Sequence, residues 1–257
     1  MGISGLELQL DGCVGRLWIN REKRGNSFTP EMLEALPALL QGAAEDGARI
    51  LVIRGRGERS FCAGYDLGRL SETFAEEADS GGEALQKAVA AIEDFPGATV
   101  AMINGPAIGG GVLLSLACDL RWAHARAFFA IPVSRLGLVF PLAGIKALAA
   151  AVGSTRCLEL LHTGRRLMAA EALSWGLLNG VREGFDWDQV GEQAVDTMRS
   201  LAPLSLEGHH RILRHLIRGD LDPRLAQAIA TKALQSRDAR EGALAIGEKR
   251  SPRFAGE

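Results

Sequence analysis

The chain has 257 residues, 47% of them hydrophobic, so it is long enough to bury a substantial core and is near the upper size of one compact unit. Its 29 basic and 31 acidic residues give a formal net charge of -2, which argues against a nucleic-acid-binding surface and a polybasic membrane anchor. The N-terminal segment has no cationic stretch, and the longest apolar run, 106–118, is shorter than the roughly 20 residues that span a bilayer. We therefore expect a cytoplasmic protein.

The first half of the chain alternates predicted strands and helices. Two strands at 6–10 and 14–19 are joined by Asp11-Gly12, a dipeptide typical of hairpin turns. A helix is predicted to begin at Thr29-Pro30, because proline favours the first turn and leucines recur there at helical spacing. The further elements predicted in this half are strand 50–53, helix 83–95, strand 99–103, helix 109–117 and strand 120–124. This alternation is typical of an α/β core.

From residue 143 onward the patterns are helical, so the sequence predicts that the sheet is complete by then. The predicted helices are 145–152, 155–161, 169–175, 187–201, 203–217, 223–236 and 240–249. Ala202-Pro203 restarts the helical pattern, and we therefore divide the chain into a core over 1–200 and a helical C-terminal domain over 201–257. The four cysteines lie far apart among apolar residues, so buried free thiols are expected rather than a metal site.

Two glycine-bearing corners are the strongest local signal for function. The loop 59–67 follows an apolar strand and carries small residues before Asp66, which is placed to cap a new helix. Gly109-Gly110-Gly111 opens a helix, although each glycine weakens a helix start by roughly 1 kcal/mol relative to alanine. Helix–sheet packing explains a lone triple glycine as often as chemistry does. Together, the two corners could aim two backbone amides at one carbonyl oxygen, which is an oxyanion hole.

Four segments, taken in this order and spacing, resemble the enoyl-CoA hydratase/isomerase (crotonase) superfamily. They are FCAGYDL at 61–67, NGPAIGGG at 104–111, ACDLRWA at 117–123 and REGALAIGEKRSPRF at 240–254. The resemblance implies a crotonase-like α/β spiral of ββα units with a C-terminal helical trimerisation domain, assembled as a homotrimer or a dimer of trimers. It also implies binding of an acyl-CoA thioester, with no metal and no cofactor other than the coenzyme A of the substrate.

The resemblance further implies roles for single residues. The backbone amides of Tyr65 and Gly110 match the two oxyanion-hole donors, which would polarise the thioester carbonyl and stabilise an enolate. Arg21, Lys23 and Arg24 match contacts to the coenzyme A phosphates, although each cation has the alternative of being a solvated surface charge. The other positions matched to substrate or coenzyme A binding are Ala63 beside the adenine, Asp66, Leu113, Val133, Phe140, and Lys249, which would reach a neighbouring active site.

The sequence departs from the family where hydration needs two glutamates. Leu113 and Val133 occupy those positions, and neither side chain moves a proton. From 120 through 158 there is no Asp or Glu. The expected pocket residues, which would suit an alkyl or aromatic acyl chain, are Ile131, Pro132, Val133, Leu136, Leu138, Val139 and Phe140.

Few polar residues remain as replacements for the glutamates. A substitute carboxylate would come from Asp66 or from the segment 72–83, and Asp66 is better explained as a helix cap. Ser134 and Arg135 border the pocket as second choices. His124 is expected at the surface of a strand end, and the histidines of the C-terminal helices, which are His209, His210 and His215, are expected to be structural or solvated.

Three functional hypotheses follow. The first is enolate chemistry on an acyl-CoA with a nonstandard acid or base, such as isomerisation, decarboxylation or C–C cleavage. The second is a noncatalytic acyl-CoA carrier or sensor, because binding groups are kept while proton-transfer groups are absent. The third is an ordinary hydratase whose acid comes from an unexpected position.

Overall fold

Over residues 2–66, 68, 80–184 and 187–257, which the computed structural model describes, ten strands form two sheets. The strands are β1 (Gly2–Ile3), β2 (Leu6–Asp11), β3 (Val14–Ile19), β4 (Ile50–Gly55), β5 (Ala98–Ile103), β6 (Ala107–Ile108), β7 (Leu120–His124), β8 (Phe128–Ala130), β9 (Leu167–Met168) and β10 (Gly180–Arg182). The main sheet has the order β1-β2-β3-β4-β5-β7-β10, and the smaller one the order β6-β8-β9. The main sheet is antiparallel over β1 to β3 and parallel from β3 to β10.

The helices follow the strands along the chain as sequence spacing predicted. They are α1 (Pro30–Glu45), α2 (Ser80–Glu93), α3 (Gly110–Ala117), α4 (Leu142–Val152), α5 (Ser154–Thr163), α6 (Ala169–Ser174), α7 (Trp187–Arg199), α8 (Pro203–Arg218), α9 (Pro223–Gln235) and α10 (Arg237–Glu248). Short 3-10 turns cover Glu22–Arg24 and Pro132–Leu136. The start of α1 is fixed locally, because the Thr29 hydroxyl accepts a hydrogen bond from the Met32 amide at 3.4 Å.

The two faces of the main sheet are buried by different helices. Side chains alternate along β4, so Leu51 and Ile53 join the larger core with α1, α2 and α3, while Ile50 and Val52 face the other way. That second face is covered by α7 through Val195 and Met198. Because both faces are buried, the central parallel strands β4 and β5 read as mainly apolar runs. The predicted α/β core is confirmed, while the division at residue 200 stays a prediction.

Three expectations about the secondary structure and the cysteines were wrong. The sheet is not complete by residue 143, because β9 and β10 follow; β9 joins the smaller sheet, and β10 extends the main sheet parallel to β7. Gly180 permits this pairing, since a Cβ there would lie 2.3 Å from the Trp122 ring. Helix α10 begins at Arg237 rather than at 240, because the Ser236 hydroxyl caps it. Cys13 is only half-buried, unlike the other three cysteines.

The C-terminal helices are tied to the core by a buried polar contact. His210 of α8, expected to be structural or solvated, is structural: it is 6% exposed, and its ring nitrogens lie 2.7 Å from Asp119 Oδ1 and 2.6 Å from the Glu93 carbonyl. Arg214 donates to the Ala117 carbonyl and to Asp119. Burial alone would raise the pKa of Asp119, but the hydrogen bond and charge of His210 and the charge of Arg214 outweigh it and lower that pKa.

Candidate functional site

The two glycine-bearing corners predicted to form a site are hydrogen-bonded to each other. The Phe61 amide donates to the Pro106 carbonyl at 3.1 Å, and the Ile108 amide donates to the Cys62 carbonyl at 2.9 Å. Gly64, with φ +88°, comes so close to the second corner that a Cβ on it would lie 2.7 Å from the Ile108 oxygen. The same Cβ would lie 3.2 Å from the Gly110 nitrogen. Only glycine allows this approach.

Each of the three consecutive positions 109–111 has glycine for a different reason. Gly109 has φ +53° and ψ -111°, a conformation that side chains disfavour. A Cβ on Gly111 would lie 2.2 Å from the Cys62 carbonyl oxygen, so packing requires this glycine. A Cβ on Gly110 would meet only ordinary contacts, at 3.6 Å from Gly64 Cα and 3.7 Å from the Tyr65 nitrogen. Neither backbone conformation nor packing therefore demands glycine at 110, where the missing side chain keeps open the space beside the Tyr65 amide.

The start of α3 supplies the second predicted donor. Gly110 is the first residue of this helix, and its amide therefore has no intrahelical acceptor. The helix dipole adds partial positive charge at this end. At the other end, Arg214 and Arg121 donate to the carbonyls of Ala117 and Cys118, so cations pair with the negative end of the same helix. The arrangement suits stabilisation of a developing oxyanion beside the Tyr65 and Gly110 amides.

The first corner is held on its other side by the segment before α1. The Phe28 amide donates to the Gly64 carbonyl at 2.8 Å, and the Asp66 amide donates to the Phe28 carbonyl at 2.9 Å. These bonds flank Tyr65 and form a parallel bridge between Phe28 and Tyr65. Sequence reasoning missed Phe28, whose contribution is made through its backbone and leaves no mark on the side-chain pattern.

Two buried asparagines, also missed from the sequence, shape the loop that leads into this corner. Asn26 has φ +57° and donates to the carbonyls of Arg56 and Ser60 at 3.0 and 2.8 Å. Asn104 donates to the Gly55 and Ser60 carbonyls at 3.1 and 3.2 Å. Asparagine is one of the few residues that adopts a left-handed backbone readily, which is the only signal the sequence offers for Asn26.

The residues matched to the coenzyme A phosphates do not share one environment. Lys23 and Arg24 are exposed on the 3-10 turn beside Ala63, whose amide donates to the Gly25 carbonyl at 2.9 Å. Arg21 is instead turned inward, with Nη2 2.9 Å from Asp66 Oδ2. The hydrogen bond from Arg21 is the main cause that lowers the pKa of Asp66 from its ordinary value.

Asp66 and Lys249 were also matched to substrate or coenzyme A binding. Asp66 also accepts a hydrogen bond from the Gly68 amide at 3.2 Å, as expected of a capping residue. Lys249 is exposed and adopts φ +53° at the end of α10. Its predicted reach into a neighbouring active site requires a partner subunit and stays a prediction.

Leu113, which the resemblance matched to one of the two glutamate positions, is sealed into apolar packing. It is 2% exposed, and both its Cδ1 and the Phe140 ring approach Gly144, where a Cβ would lie 2.8 and 2.5 Å from them. Val133 is half-buried against the same core. These contacts leave the position without a group that could activate water.

The other residues of the expected pocket wall differ in exposure. Ile131 is buried, whereas Leu136 and Val139 are 49% and 86% exposed, and the expectation that these residues line one acyl pocket stays a prediction. The Ser134 hydroxyl donates to the Leu161 carbonyl at 2.6 Å, and Arg135 donates to the Thr163 carbonyl at 3.1 Å. Both side chains thus bond to the last turn of α5, which favours a structural role for them.

Substitute proton-transfer groups are scarce near the two amides. Asp66 is held in its ion pair, Glu83 is exposed and pairs with Lys87 at 2.8 Å, and the other carboxylates considered, within 72–79, lie outside the described residues. Cys62 is buried beside the corner, and burial raises the pKa of its thiol to about 12, so it is not a thiolate nucleophile at neutral pH.

Over the parts of the chain that the structure describes, no three His, Cys, Asp or Glu side chains gather as a metal site would need. None of the helices in those ranges is long and apolar enough to cross a bilayer.

Comparison with known proteins gives consistent matches along the chain. The Enoyl-CoA hydratase/isomerase family matches residues 10–257. Carnitinyl-CoA dehydratase of Proteus mirabilis is 32% identical, with 98% of each chain covered. The mitochondrial enoyl-CoA hydratase domain-containing protein 2 of Bos taurus is 30% identical, covering 100% of this chain and 91% of that protein. The crystal structure of enoyl-CoA hydratase from Bacillus anthracis superposes with a TM-score of 0.87 at 28% identity, covering 98% of this chain and 100% of that one. The predicted fold class is thereby confirmed.

Proposed function

The chain belongs to the enoyl-CoA hydratase/isomerase family, and on that premise we propose that it binds an acyl-CoA thioester with the carbonyl oxygen between the Tyr65 and Gly110 amides. Two features support this proposal. The two glycine-bearing corners meet at these amides, and Gly110 is the one member of the triple glycine for which neither backbone conformation nor packing requires glycine. A carbonyl oxygen placed there would accept from both amides at the positive end of α3.

The reaction we favour is enolate chemistry that does not begin with activation of water. Polarising a thioester carbonyl stabilises negative charge that develops on its oxygen when a bond to the α-carbon breaks. Leu113 and Val133 stand where hydration would need carboxylates, and Leu113 is packed against Phe140. Isomerisation, decarboxylation or C–C cleavage fits this site better than hydration does. A decarboxylation in particular needs no external base, because the electron pair of the breaking bond passes to the enolate.

A second candidate is a noncatalytic acyl-CoA carrier or sensor. It is favoured by the same sealed packing at Leu113, because a protein that only holds its ligand has no use for a proton-transfer group beside the carbonyl. The third alternative, an ordinary hydratase, needs a carboxylate to approach the substrate from elsewhere. Asp66 and Glu83 are the described candidates, and their ion pairs, with Arg21 at 2.9 Å and with Lys87 at 2.8 Å, make them poor ones.

Binding and turnover measured together separate these candidates. Calorimetric titration with saturated acyl-CoAs, 2,3-unsaturated acyl-CoAs and free coenzyme A measures affinity, and each ligand that binds is then assayed for hydration, isomerisation and loss of carbon dioxide. Turnover without hydration supports the favoured proposal, and tight binding without any turnover supports the carrier. Rapid hydration would support the third alternative, and failure to bind any acyl-CoA would overturn the assignment of the site.

We further propose that the protein is cytoplasmic and forms a homotrimer or a dimer of trimers. Exposed apolar side chains on the C-terminal helices support self-association, and they are Leu213, Leu216, Leu234, Leu244 and Ile246. Sedimentation equilibrium measures the mass of the assembly in solution. A monomer at micromolar concentration would contradict the proposed trimer.

A further inference from the structure

The Arg21 guanidinium bonds to groups of the protein itself, which a residue that only contacts a phosphate would not need to do. Its Nη2 lies 2.9 Å from Asp66 Oδ2, and its Nη1 donates to the Ser27 carbonyl at 2.8 Å and to the Ser27 hydroxyl at 3.1 Å. The side chains of Arg21 and Asp66 are only 23% and 15% exposed. The planar fork of the guanidinium therefore joins two chain segments within the protein.

These two segments hold the peptide that carries the Tyr65 amide. Ser27 precedes Phe28, whose backbone bonds to Gly64 and Asp66 on either side of Tyr65. Arg21 joins the same two segments a second time. It bonds to the carbonyl and hydroxyl of Ser27 in one segment and to the carboxylate of Asp66 in the other. Rotation of the peptide that joins Gly64 to Tyr65 would break the bond from the Phe28 amide to the Gly64 carbonyl, and the charge-assisted bond between Arg21 and Asp66 holds the next residue in place against this movement.

The base from which Arg21 reaches is itself fixed. The Arg21 amide donates to Asn26 Oδ1 at 3.0 Å, and the Asn26 amide donates back to the Arg21 carbonyl at 3.0 Å. Asn26 is fully buried and donates onward to the Ser60 carbonyl. The exposed cations of this loop are Lys23 and Arg24, which leaves them to face a phosphate in solvent.

We propose that Arg21, through its ion pair with Asp66, is a positioning residue that orients the Tyr65 amide of the oxyanion hole, and is not a contact to the coenzyme A phosphates. The inference rests on the proposed function, since it assumes that this amide receives a thioester carbonyl. It separates two properties of the site, which are affinity for the coenzyme A part and polarisation of the carbonyl.

The test measures both properties in the full-length protein. Octanoyl-CoA that is isotope-labelled at the thioester carbonyl reports polarisation through the shift of its carbonyl stretch on binding, read by difference infrared spectroscopy. Titration with free coenzyme A reports the affinity for the part that carries the phosphates. Arg21→Gln and Asp66→Asn are each expected to lose about half or more of the carbonyl shift, while the Kd for free coenzyme A stays within about twofold.

Three comparison variants sharpen the result. Arg24→Gln should weaken free coenzyme A and keep the carbonyl shift. Arg56→Gln is the matched control, because it removes another arginine ion pair, with Glu7 at 3.3 Å, that does not touch the corner, and both readouts should stay unchanged. Arg21→Lys, which keeps the charge, should restore part of the shift. Should Arg21→Gln fail to fold, Asp66→Asn still tests the pair, because its side chain can still accept from the Gly68 amide.

Two results would overturn the inference in different ways. Weaker coenzyme A binding in Arg21→Gln with an intact carbonyl shift would make Arg21 a phosphate contact and not a positioning residue. A parent protein that neither binds nor polarises octanoyl-CoA would overturn the proposed function, and this inference would fall with it.

Discussion

Replacing Gly110 and Gly111 by alanine, one at a time, should separate binding from folding. A methyl group on Gly110 meets nothing nearer than 3.6 Å, while one on Gly111 would lie 2.2 Å from the Cys62 carbonyl oxygen. The two residues are neighbours at the start of α3 and receive the same chemical change. They differ only in what the new methyl group meets.

Gly110→Ala should impair turnover and keep stability, whereas Gly111→Ala should lower stability. Alanine is favoured over glycine in a helix by about 0.5–1 kcal/mol, so Gly110→Ala should leave the free energy of unfolding unchanged or slightly higher. Its methyl group would crowd the space 3.7 Å from the Tyr65 nitrogen, and displacing the carbonyl from one donor costs about 2.7–4 kcal/mol, or roughly 10²–10³-fold in turnover. Gly111→Ala should instead destabilise the fold by about 1–3 kcal/mol through overpacking.

Urea unfolding and octanoyl-CoA titration of both variants provide the measurement. Gly110→Ala should match the parent in unfolding midpoint and lose affinity or turnover. Gly111→Ala should unfold at lower urea. A Gly110→Ala variant that binds and turns over ligand like the parent would refute the assignment of this space to the carbonyl oxygen, and a fully stable Gly111→Ala would refute the packing explanation.

Three further outcomes are expected. Restoring carboxylates with Leu113→Glu and Val133→Glu should raise hydration of a 2,3-unsaturated acyl-CoA by about 10²–10⁴-fold, measured by loss of enoyl absorbance, and no gain would mean that these positions do not face the substrate. Ser134→Ala should leave ligand binding and turnover unchanged and lower the free energy of unfolding by about 1 kcal/mol, since only the bond to the Leu161 carbonyl is lost; altered turnover would restore Ser134 as a catalytic candidate. Because the folded pKa of Asp119 is lowered, its stabilising contribution is complete above the ordinary aspartate pKa and is lost as the pH falls through the folded value. Acid unfolding curves should therefore lose this component in Asp119→Asn, and superimposable curves would contradict the assignment.

Local signals in the sequence predicted the main elements of the first half well. Strand β7 matches its predicted bounds, and α1 begins at Pro30 where proline and the Thr29 cap required it. The strand Gly180–Arg182 was missed because three residues carry no readable alternation, and its place is set by pairing with Trp122 far back in the chain. Short strands of this kind are defined by their partners more than by their own residues.

The candidate site was predictable in its glycines and not in its ion pair. The triple glycine stands out by its cost to a helix, and the structure assigns a separate reason to each of its members. Arg21 reads from the sequence as one of three cations in a polar loop. Its partner Asp66 lies 45 residues further along, and nothing local indicates that the two meet. Contacts between distant residues depend on the completed fold.

The late position of β10 has a consequence for synthesis on the ribosome. Until Gly180–Arg182 emerges, β7 is the outer strand of the main sheet, and its backbone groups on that side lack their final partners. The face formed by Ile50 and Val52 stays exposed longer still, because Val195 and Met198, which pack on it, are synthesised later. At roughly 5–20 residues per second, the nascent chain exposes an open edge and an apolar face for several seconds. Chains that terminate within this interval should be the ones that associate with chaperones or aggregate.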